Sequence, residues 1–127
     1  FDLIREKLLA QMSKKFIVIG DNSKIVSKIG QNYFIPIEIT PIAWKITKIL
    51  IEKIAKKCIV RENMEKNAFA ISSYGNFVLD CEFNYSELDT LAKEIANTPG
   101  VFEHGLFLNL ASLAIVSNNG QVKKILK

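Results

Sequence analysis

The chain has 127 residues and a formal net charge of +4, with 17 lysines and arginines against 13 aspartates and glutamates. Apolar residues make up 49% and charged residues 24%, which is typical of one globular domain with a sizeable core. The apolar runs are short and interrupted by lysine, so none has the ~20 residues that a membrane helix needs. Lysines dispersed over several elements indicate a solvated surface rather than a basic nucleic-acid-binding block.

The two cysteines, Cys58 and Cys81, form no CxxC motif and no Cys/His cluster, so the sequence offers no support for a zinc or redox site. No secretory segment is recognisable, and we expect a reducing, cytoplasmic setting. The chain begins at Phe1 without an initiator methionine. We therefore expect it to be a piece of a longer protein.

The first third of the chain predicts parts of a parallel sheet. Residues 2–12 predict a helix with one apolar flank. Residues 16–20 are apolar at every position, which favours a strand covered on both faces. The polar residues 21–24 follow, and a short helix is expected from there to Gly30.

The next segment predicts a strand and a long helix. Residues 35–39 alternate isoleucine with other residues, and Pro36 favours an edge strand or a strand beginning. Thr40 as N-cap and Pro41 at the first helical position predict a helix start, and the helix is expected to run to about Lys57. Its predicted buried stripe consists of Ile42, Ile46, Ile49, Leu50 and Ile54.

The remaining elements complete a small domain. Residues 68–72 and 76–83 predict a hairpin that turns at residues 73–75, residues 86–95 a helix, and residues 101–108 a strand. From residue 35 to residue 108 the order is strand, helix, strand, strand, helix, strand, which is the split β-α-β pattern of ferredoxin-like domains.

Two apolar strands flank this small domain, because residues 111–116 repeat the pattern of residues 16–20 and residues 122–126 predict a final strand. The expected fold class is therefore α/β with an α+β insertion. Residues 1–31 and 109–127 form the end of a Rossmann-like parallel-sheet domain, and residues 32–108 form an inserted ferredoxin-like domain.

Residue types alone leave the function undecided. Lys24 and the polar residues 21–24 follow a predicted parallel strand and begin a helix, where an anionic or hydroxyl-rich ligand could bind. The same residues also suit a simple helix cap with a solvated lysine. Glu6, beside lysine and arginine near a helix start, has the pattern of a surface residue. No metal-ligand cluster, Gly-rich phosphate loop or Ser/His/Asp set can be assembled.

Residues 99–107 read P-G-V-F-E-H-G-L-F, and no simple structural role explains the whole string. It contains His104, the only histidine, and Gly105, which in a strand marks a bulge or a close backbone approach. A lone histidine is ordinarily a structural residue.

The string resembles one that ends the small domain of type A ribose-5-phosphate isomerases. Four other segments resemble the same family in the right order, and together the matches run from about Ile4 to Ile115. These segments are I-R-E-K at residues 4–7, the strand with D-N-S-K at residues 15–24, I-P-I-E-I at residues 35–39, and G-N-F-V-L-D at residues 75–80.

The resemblance implies an aldose–ketose isomerase of the non-oxidative pentose phosphate pathway, acting between ribose 5-phosphate and ribulose 5-phosphate. It implies that Glu6 is the general base that moves a proton between C2 and C1 of an enediolate, and that Lys24 contacts the substrate. It implies no metal and no cofactor. We expect a cytoplasmic homo-oligomer, dimer or tetramer, without membrane or nucleic-acid partners, and with His104 as a structural or interface residue.

This sequence also departs from the family pattern. The family's T-G-S-T, D-G-A-D and K-G-G-G segments, expected before Phe1, do not occur in it, and we expect the chain alone to be inactive. Ile4 and Ser112 replace a threonine and an aspartate of the family. Ser72, Ser73 and Tyr74 replace its T-D-N, and we interpret this change and the one at Ser112 as drift on a structural surface.

Two other classes of protein share the small-domain pattern. An RNA-recognition module would need aromatic residues on its central strands. Aligning Phe77 and Val78 with the module's F-V places Ser73 at its basic position and Asp80 at its last aromatic position, so the stacking platform is missing. A regulatory or oligomerisation domain of ferredoxin-like type is the third alternative, and it is partly compatible with the isomerase family.

Overall fold

The computed structural model describes residues 2–12, 17–21, 34–84, 87–106, 113–118 and 121–126. The elements in chain order are α1 (Leu3–Met12), β1 (Ile17–Asp21), β2 (Ile35–Ile39), α2 (Trp44–Glu52), β3 (Lys57–Val60), β4 (Phe77–Glu82), α3 (Leu88–Ala96), β5 (Val101–His104), β6 (Leu113–Asn118) and β7 (Gln121–Leu126). Lys24 and the helix predicted to end at Gly30 lie outside the described residues. Within the described part of the chain, no helix is long and apolar enough to cross a membrane.

One sheet has three strands in the order β1-β6-β7. β1 pairs with β6 in parallel, with Ile17 opposite Leu113, and β7 adds to β6 in antiparallel orientation. Parallel neighbours need a long connection between them. Here the connection contains the whole second sheet, so the four-stranded sheet is an insertion between two paired strands of the first.

The second sheet has four antiparallel strands in the order β3-β4-β2-β5. Together with α2 and α3 these strands follow the order β-α-β-β-α-β along the chain. This is the split β-α-β arrangement, and the predicted fold class is confirmed. The central position of β2 explains its sequence, because both of its edges are paired and three of its five residues are isoleucine.

The core lies between the four-stranded sheet and the two helices. β2 and β4 contribute Ile37, Ile39 and Leu79, and the helices contribute Ile51, Leu91 and Ile95; all are fully buried. Burying one such side chain contributes roughly 1.5–3 kcal/mol. This apolar layer therefore supplies the main force that holds the helices on the sheet.

The structure corrects the prediction for α2. The helix begins at Trp44 rather than at Pro41, because Ala43 adopts the left-handed conformation at a φ of 53° and breaks the first turn. The hydroxyl of Thr40 accepts a hydrogen bond from the Ile42 N–H, at 3.3 Å, and caps a turn instead. The helix also ends earlier than predicted, at Glu52.

Part of the predicted buried stripe of α2 lies at the surface. Thr47 and Ile51 are buried and Ile54 is partly buried against the core, whereas Ile42, Ile46 and Ile49 are 81%, 61% and 57% exposed. Trp44 accounts for this orientation, since its ring packs edge-on against Phe69 and Phe77 at centroid distances of 5.3 and 6.0 Å. Three of the five residues predicted as the core stripe therefore form an exposed apolar face.

The first strand of the predicted hairpin was also placed wrongly. β3, which pairs with β4, is formed by Lys57–Val60, a segment predicted as the end of the preceding helix. Residues 68–72 form no strand; Phe69 makes an isolated bridge with Glu62, and the Ala70 N–H donates to the Arg61 carbonyl at 2.9 Å. The alternation of exposed and buried residues in β3 covers too few positions to distinguish it from a helix end.

Replacing Gly100 by alanine is predicted to destabilise the fold more than the same change at Gly75. Both glycines have positive φ, +90° and +75°, but only at Gly100 would the new Cβ meet a neighbour, the buried side chain of Thr47. Left-handed strain and overpacking together predict a loss of about 2–4 kcal/mol for Gly100→Ala. Strain alone predicts about 1–2 kcal/mol for Gly75→Ala. Urea unfolding of both variants checks this, and equal losses would contradict the packing argument.

Candidate functional site at the contact of α1 with β5

Glu6 lies in the first turn of α1, and its side chain is exposed. Asp2 caps the helix, since its Oδ1 accepts a hydrogen bond from the Arg5 N–H at 3.0 Å. The Glu6 N–H donates to the Asp2 carbonyl at 3.2 Å. The structure therefore places Glu6 at the start of a helix, with its side chain at the surface of the described residues.

The neighbouring residue Lys7 points into the protein instead. Its Nζ lies 2.7 Å from Oε1 of Glu103 and 3.1 Å from Nδ1 of His104, and its side chain is only 12% exposed. The two partners belong to β5 and to the string of residues 99–107. This half-buried ion pair joins the helix that carries Glu6 to the edge strand of the four-stranded sheet.

His104 is held as a neutral imidazole. Its Nδ1 faces two donors, Nζ of Lys7 and the Leu106 N–H, which lies at 3.2 Å. An imidazole nitrogen that accepts hydrogen bonds carries no proton, so the hydrogen is assigned to Nε2. Burial lowers the pKa of His104 below its ordinary value, and the charge of Lys7 lowers it further, against the opposing effect of Glu103.

A buried carboxylate lies beside this ion pair. Glu38 of β2 is the register partner of Glu103 and is fully buried. Its Oε2 accepts hydrogen bonds from the hydroxyl of Ser72 at 2.9 Å and from the side-chain amide of Asn76 at 2.7 Å. Among the described atoms its Oε1 has no hydrogen-bond partner. The ammonium group of Lys7 therefore lies above a sheet face that carries two neighbouring carboxylates.

Gly105 allows the chain to pass closely over β2. Its N–H donates to the carbonyl of Pro36 at 2.8 Å. A Cβ on Gly105 would lie 2.7 Å from Cδ of Pro36, closer than packed carbon atoms approach. The close backbone approach predicted for this glycine is present. The acid, the histidine and the glycine of the string therefore all have structural roles in joining β5 to its neighbours.

A separate groove lies between α2 and β3, with a volume of about 280 Å³. Trp44, Ile49 and Val60 provide its apolar walls, and Lys45, Lys48 and Glu52 its charged rim. None of these residues belongs to the segments singled out as catalytic or substrate-binding. Within the described part of the chain, no group of three or more potential ligands could hold a metal ion.

Comparison with known proteins identifies the family. A family model described as ribose 5-phosphate isomerase A (phosphoriboisomerase A) matches residues 2–121. The chain belongs to this family. A ribose-5-phosphate isomerase A from Agrobacterium fabrum is 39% identical over 120 residues, which cover 91% of this chain and 52% of that protein. One from Prochlorococcus marinus (strain MIT 9211) is 37% identical over 115 residues, covering 89% and 48%.

Solved structures agree with this assignment. The ribose 5-phosphate isomerase A of Methanocaldococcus jannaschii matches with a TM-score of 0.87 and 31% identity, over 97% of this chain and 54% of that one. A D-ribose-5-phosphate isomerase in complex with phospho-erythronic acid matches with a TM-score of 0.89 and 33% identity, over 98% and 55%. The chain thus spans about half the length of the ribose 5-phosphate isomerases that it matches.

Of the two site residues predicted from the sequence, the structure describes one. Glu6 lies on α1, next to the ion pair, whereas Lys24 lies outside the described residues. The contacts of Lys7 with Glu103 and of Ser72 with Glu38 were not predicted from the sequence. The alternation along β2 was the one sequence pattern that pointed to part of these contacts, because it places Glu38 on the face opposite the isoleucine core.

Acidification is predicted to destabilise the chain through His104. Its pKa is lowered in the folded state from the ordinary value of 6.5, so the unfolded chain takes up the proton first as the pH falls. The stabilising contribution is complete above pH 6.5 and is lost as the pH falls toward the folded-state value. Urea midpoints measured on both sides of this pH should therefore fall on acidification.

The matched control is His104→Asn, because asparagine keeps an acceptor oxygen near the position of Nδ1 and does not titrate. All carboxylates titrate in both proteins, so the difference between their pH profiles isolates the histidine. Parallel profiles would show that His104 does not take part in the pH dependence.

Proposed function

We propose that the protein to which this chain belongs interconverts ribose 5-phosphate and ribulose 5-phosphate. The observation that carries the proposal is the family match over residues 2–121, which includes both α1 and the string of residues 99–107. A matching isomerase was solved with phospho-erythronic acid, a phosphorylated sugar acid, and this supports a sugar phosphate as the substrate.

Glu6 is the proposed general base. In an aldose–ketose isomerisation one carboxylate can take the proton from C2, hold it, and return it to C1 of the enediolate. The exposed position of Glu6 leaves room for a ligand, and the ion pair of Lys7 with Glu103 fixes the helix on which it lies.

The negative charge of an enediolate needs donors or cations close by, and this stabilisation is usually the largest catalytic contribution. Lys24 is the proposed cation on this chain, in contact with the substrate. The T-G-S-T, D-G-A-D and K-G-G-G segments implied by the family resemblance are not among these 127 residues. We therefore propose that the chain alone is inactive and that the remaining half of the enzyme completes the site.

We also propose that residues 1–31 and 109–127 belong to the catalytic domain and residues 32–108 to a small domain. The separate pairing of β1 with β6 and β7, apart from the sheet of β2 to β5, supports this division. The cytoplasm as the site of action, and the lack of a nucleic-acid partner, stay predictions from the sequence.

Glu6→Gln is predicted to abolish turnover without changing the fold. The test joins the family segments expected before Phe1, taken from the Agrobacterium fabrum relative, to residues 1–127 and measures the conversion of ribose 5-phosphate. The amide keeps the size of the side chain but cannot accept the proton, and losing a general base costs about 10²–10⁴-fold in rate. Circular dichroism checks that the variant folds.

Arg5→Gln is the matched control, because it changes a neighbouring side chain of α1 that is 74% exposed, and it should retain most of the activity. The unmodified 127-residue chain is the second arm and should show no turnover. An unchanged kcat in Glu6→Gln would remove Glu6 from the role of base, and activity of the chain alone would refute the need for the other half.

We further propose that the chain forms a homo-oligomer through α2, with a second copy as the occupant of the exposed face. Ile42 and Ile46 project from this face, and the groove walled by Trp44, Ile49 and Val60 lies beside it. An apolar ridge next to an apolar groove suits a two-fold contact, in which each copy inserts its ridge into the groove of the other.

Ile46→Glu is predicted to dissociate this oligomer, since a buried unpaired carboxylate is strongly unfavourable. Light scattering coupled to size-exclusion chromatography should show a larger species for the wild-type chain and a monomer for the variant. Ile59→Glu is the control, because Ile59 is a comparably accessible isoleucine, 44% exposed, on β3. A monomeric wild type, or an equal effect of both variants, would contradict the proposed contact.

A further inference from the structure

Cys58 and Cys81 meet in the four-stranded sheet, although 23 residues separate them in the sequence. They are register partners on β3 and β4, and their Sγ atoms lie 2.8 Å apart. Both are reduced and buried. Local spacing in the sequence gives no sign of this pair, because strand register brings the two cysteines together.

The strand geometry suits a disulfide bond. The Arg61 N–H donates to the Val78 carbonyl at 2.8 Å, and this bond marks their position as a hydrogen-bonded pair of the β3–β4 ladder. Hydrogen-bonded pairs alternate with non-hydrogen-bonded ones, so the cysteines occupy a non-hydrogen-bonded position. Cα atoms at such positions are about 4.5 Å apart, inside the range of about 4.4–6.8 Å found in disulfides.

The two thiols differ in access. β3 is an edge strand, and Cys58 keeps 8% of its surface exposed whereas Cys81 has none. Val60 lies two residues further along β3, so its side chain is on the same face as Cys58, and it lines the groove between α2 and β3. A reagent that enters this groove therefore approaches Cys58 first.

The electrostatics distinguish the thiols in the same way. The hydrogen bond with Cys81 lowers the pKa of Cys58, and Lys48 lowers it further, against burial and Glu52. The same hydrogen bond and deeper burial raise the pKa of Cys81 well above its ordinary range. Cys58 is thus the thiol that more readily forms the nucleophilic thiolate.

We propose that Cys58 and Cys81 are an oxidisable pair that closes to an intrachain disulfide by exchange with a low-molecular-weight disulfide. The sulfur atoms need to approach by less than an ångström to reach the bond length of about 2.0 Å. The proposal rests on the described sheet alone and is independent of the isomerase reaction.

The exchange has two balanced steps. The Cys58 thiolate attacks one sulfur of oxidised glutathione, forms a mixed disulfide and releases one glutathione thiolate, which takes up the proton that Cys58 lost. The Cys81 thiolate then attacks Sγ of Cys58 and releases the second glutathione, which takes up the proton from Cys81. The two cysteines lose two electrons and two protons, and oxidised glutathione gains them as two thiols.

The test treats the folded 127-residue chain with oxidised glutathione and then alkylates it after acid quenching and unfolding. The expected product is a monomer that is lighter than the reduced chain by two hydrogen atoms and takes up no alkyl groups. Peptide mapping should find Cys58 linked to Cys81. A disulfide is the better oxidant here, since peroxide would also oxidise Met12 and Met64, which are 82% and 101% exposed.

Cys58→Ala and Cys81→Ala are the matched controls, and neither should lose the two hydrogens. A second measurement needs no variant: the urea midpoint of the wild-type chain should rise on oxidation and return on reduction with dithiothreitol, because the cross-link restricts the unfolded chain. Intermolecular disulfides, a persistent glutathione adduct, two unreacted thiols, or a linked chain with a lowered midpoint would each overturn the proposal.

Discussion

The strand β2 constrains the whole four-stranded sheet, because it is paired on both edges and buried on both faces. On one face Ile37 and Ile39 form the floor of the helix-covered core. On the other face Glu38 has no access to water, so its carboxylate must find its hydrogen bonds inside the protein. Ser72 and Asn76 donate them, and one strand thereby determines both the core and the turn that precedes β4.

The contact of α1 with β5 follows from the same face of the sheet. Glu103 lies beside Glu38 on the adjacent strand, and its carboxylate is paired with a cation. Lys7 provides it from a helix 96 residues away in the sequence. The attraction within a half-buried ion pair offsets the cost of desolvation when further hydrogen bonds satisfy the charged groups. The backbone N–H of His104 donates one such bond to Glu103 at 2.9 Å. The orientation of the helix that carries Glu6 is thus linked to the charge pattern of a distant sheet.

The sequence predicted the fold class and the order of element types along the chain, because apolar alternation and turn residues are local properties, although it placed β3 too late in the chain. It failed on α2, where two apolar stripes have helical spacing: Ile42, Ile46 and Ile49 on one side, and Trp44, Thr47 and Ile51 on the other. Which stripe is buried depends on the aromatic contacts of Trp44 with Phe69 and Phe77. The spacing of apolar residues within the helix does not reveal such tertiary contacts. The partners of Lys7 were missed for the same reason, since tertiary pairing brings them together.

His104 gives this molecule a built-in reporter. It is the only histidine, and it lies where α1 meets β5, with its Nδ1 accepting hydrogen bonds from Lys7 of α1 and from the nearby Leu106 N–H. Ring nitrogen signals in an NMR spectrum would therefore come from one imidazole, without assignment of the rest of the chain. A shift of the Nδ1 signal with the tautomer unchanged would show that Lys7 and α1 had moved away from β5 while the strands remained intact. The position of the helix bearing Glu6 can thus be followed in solution, during ligand binding or reassembly with the other half of the enzyme.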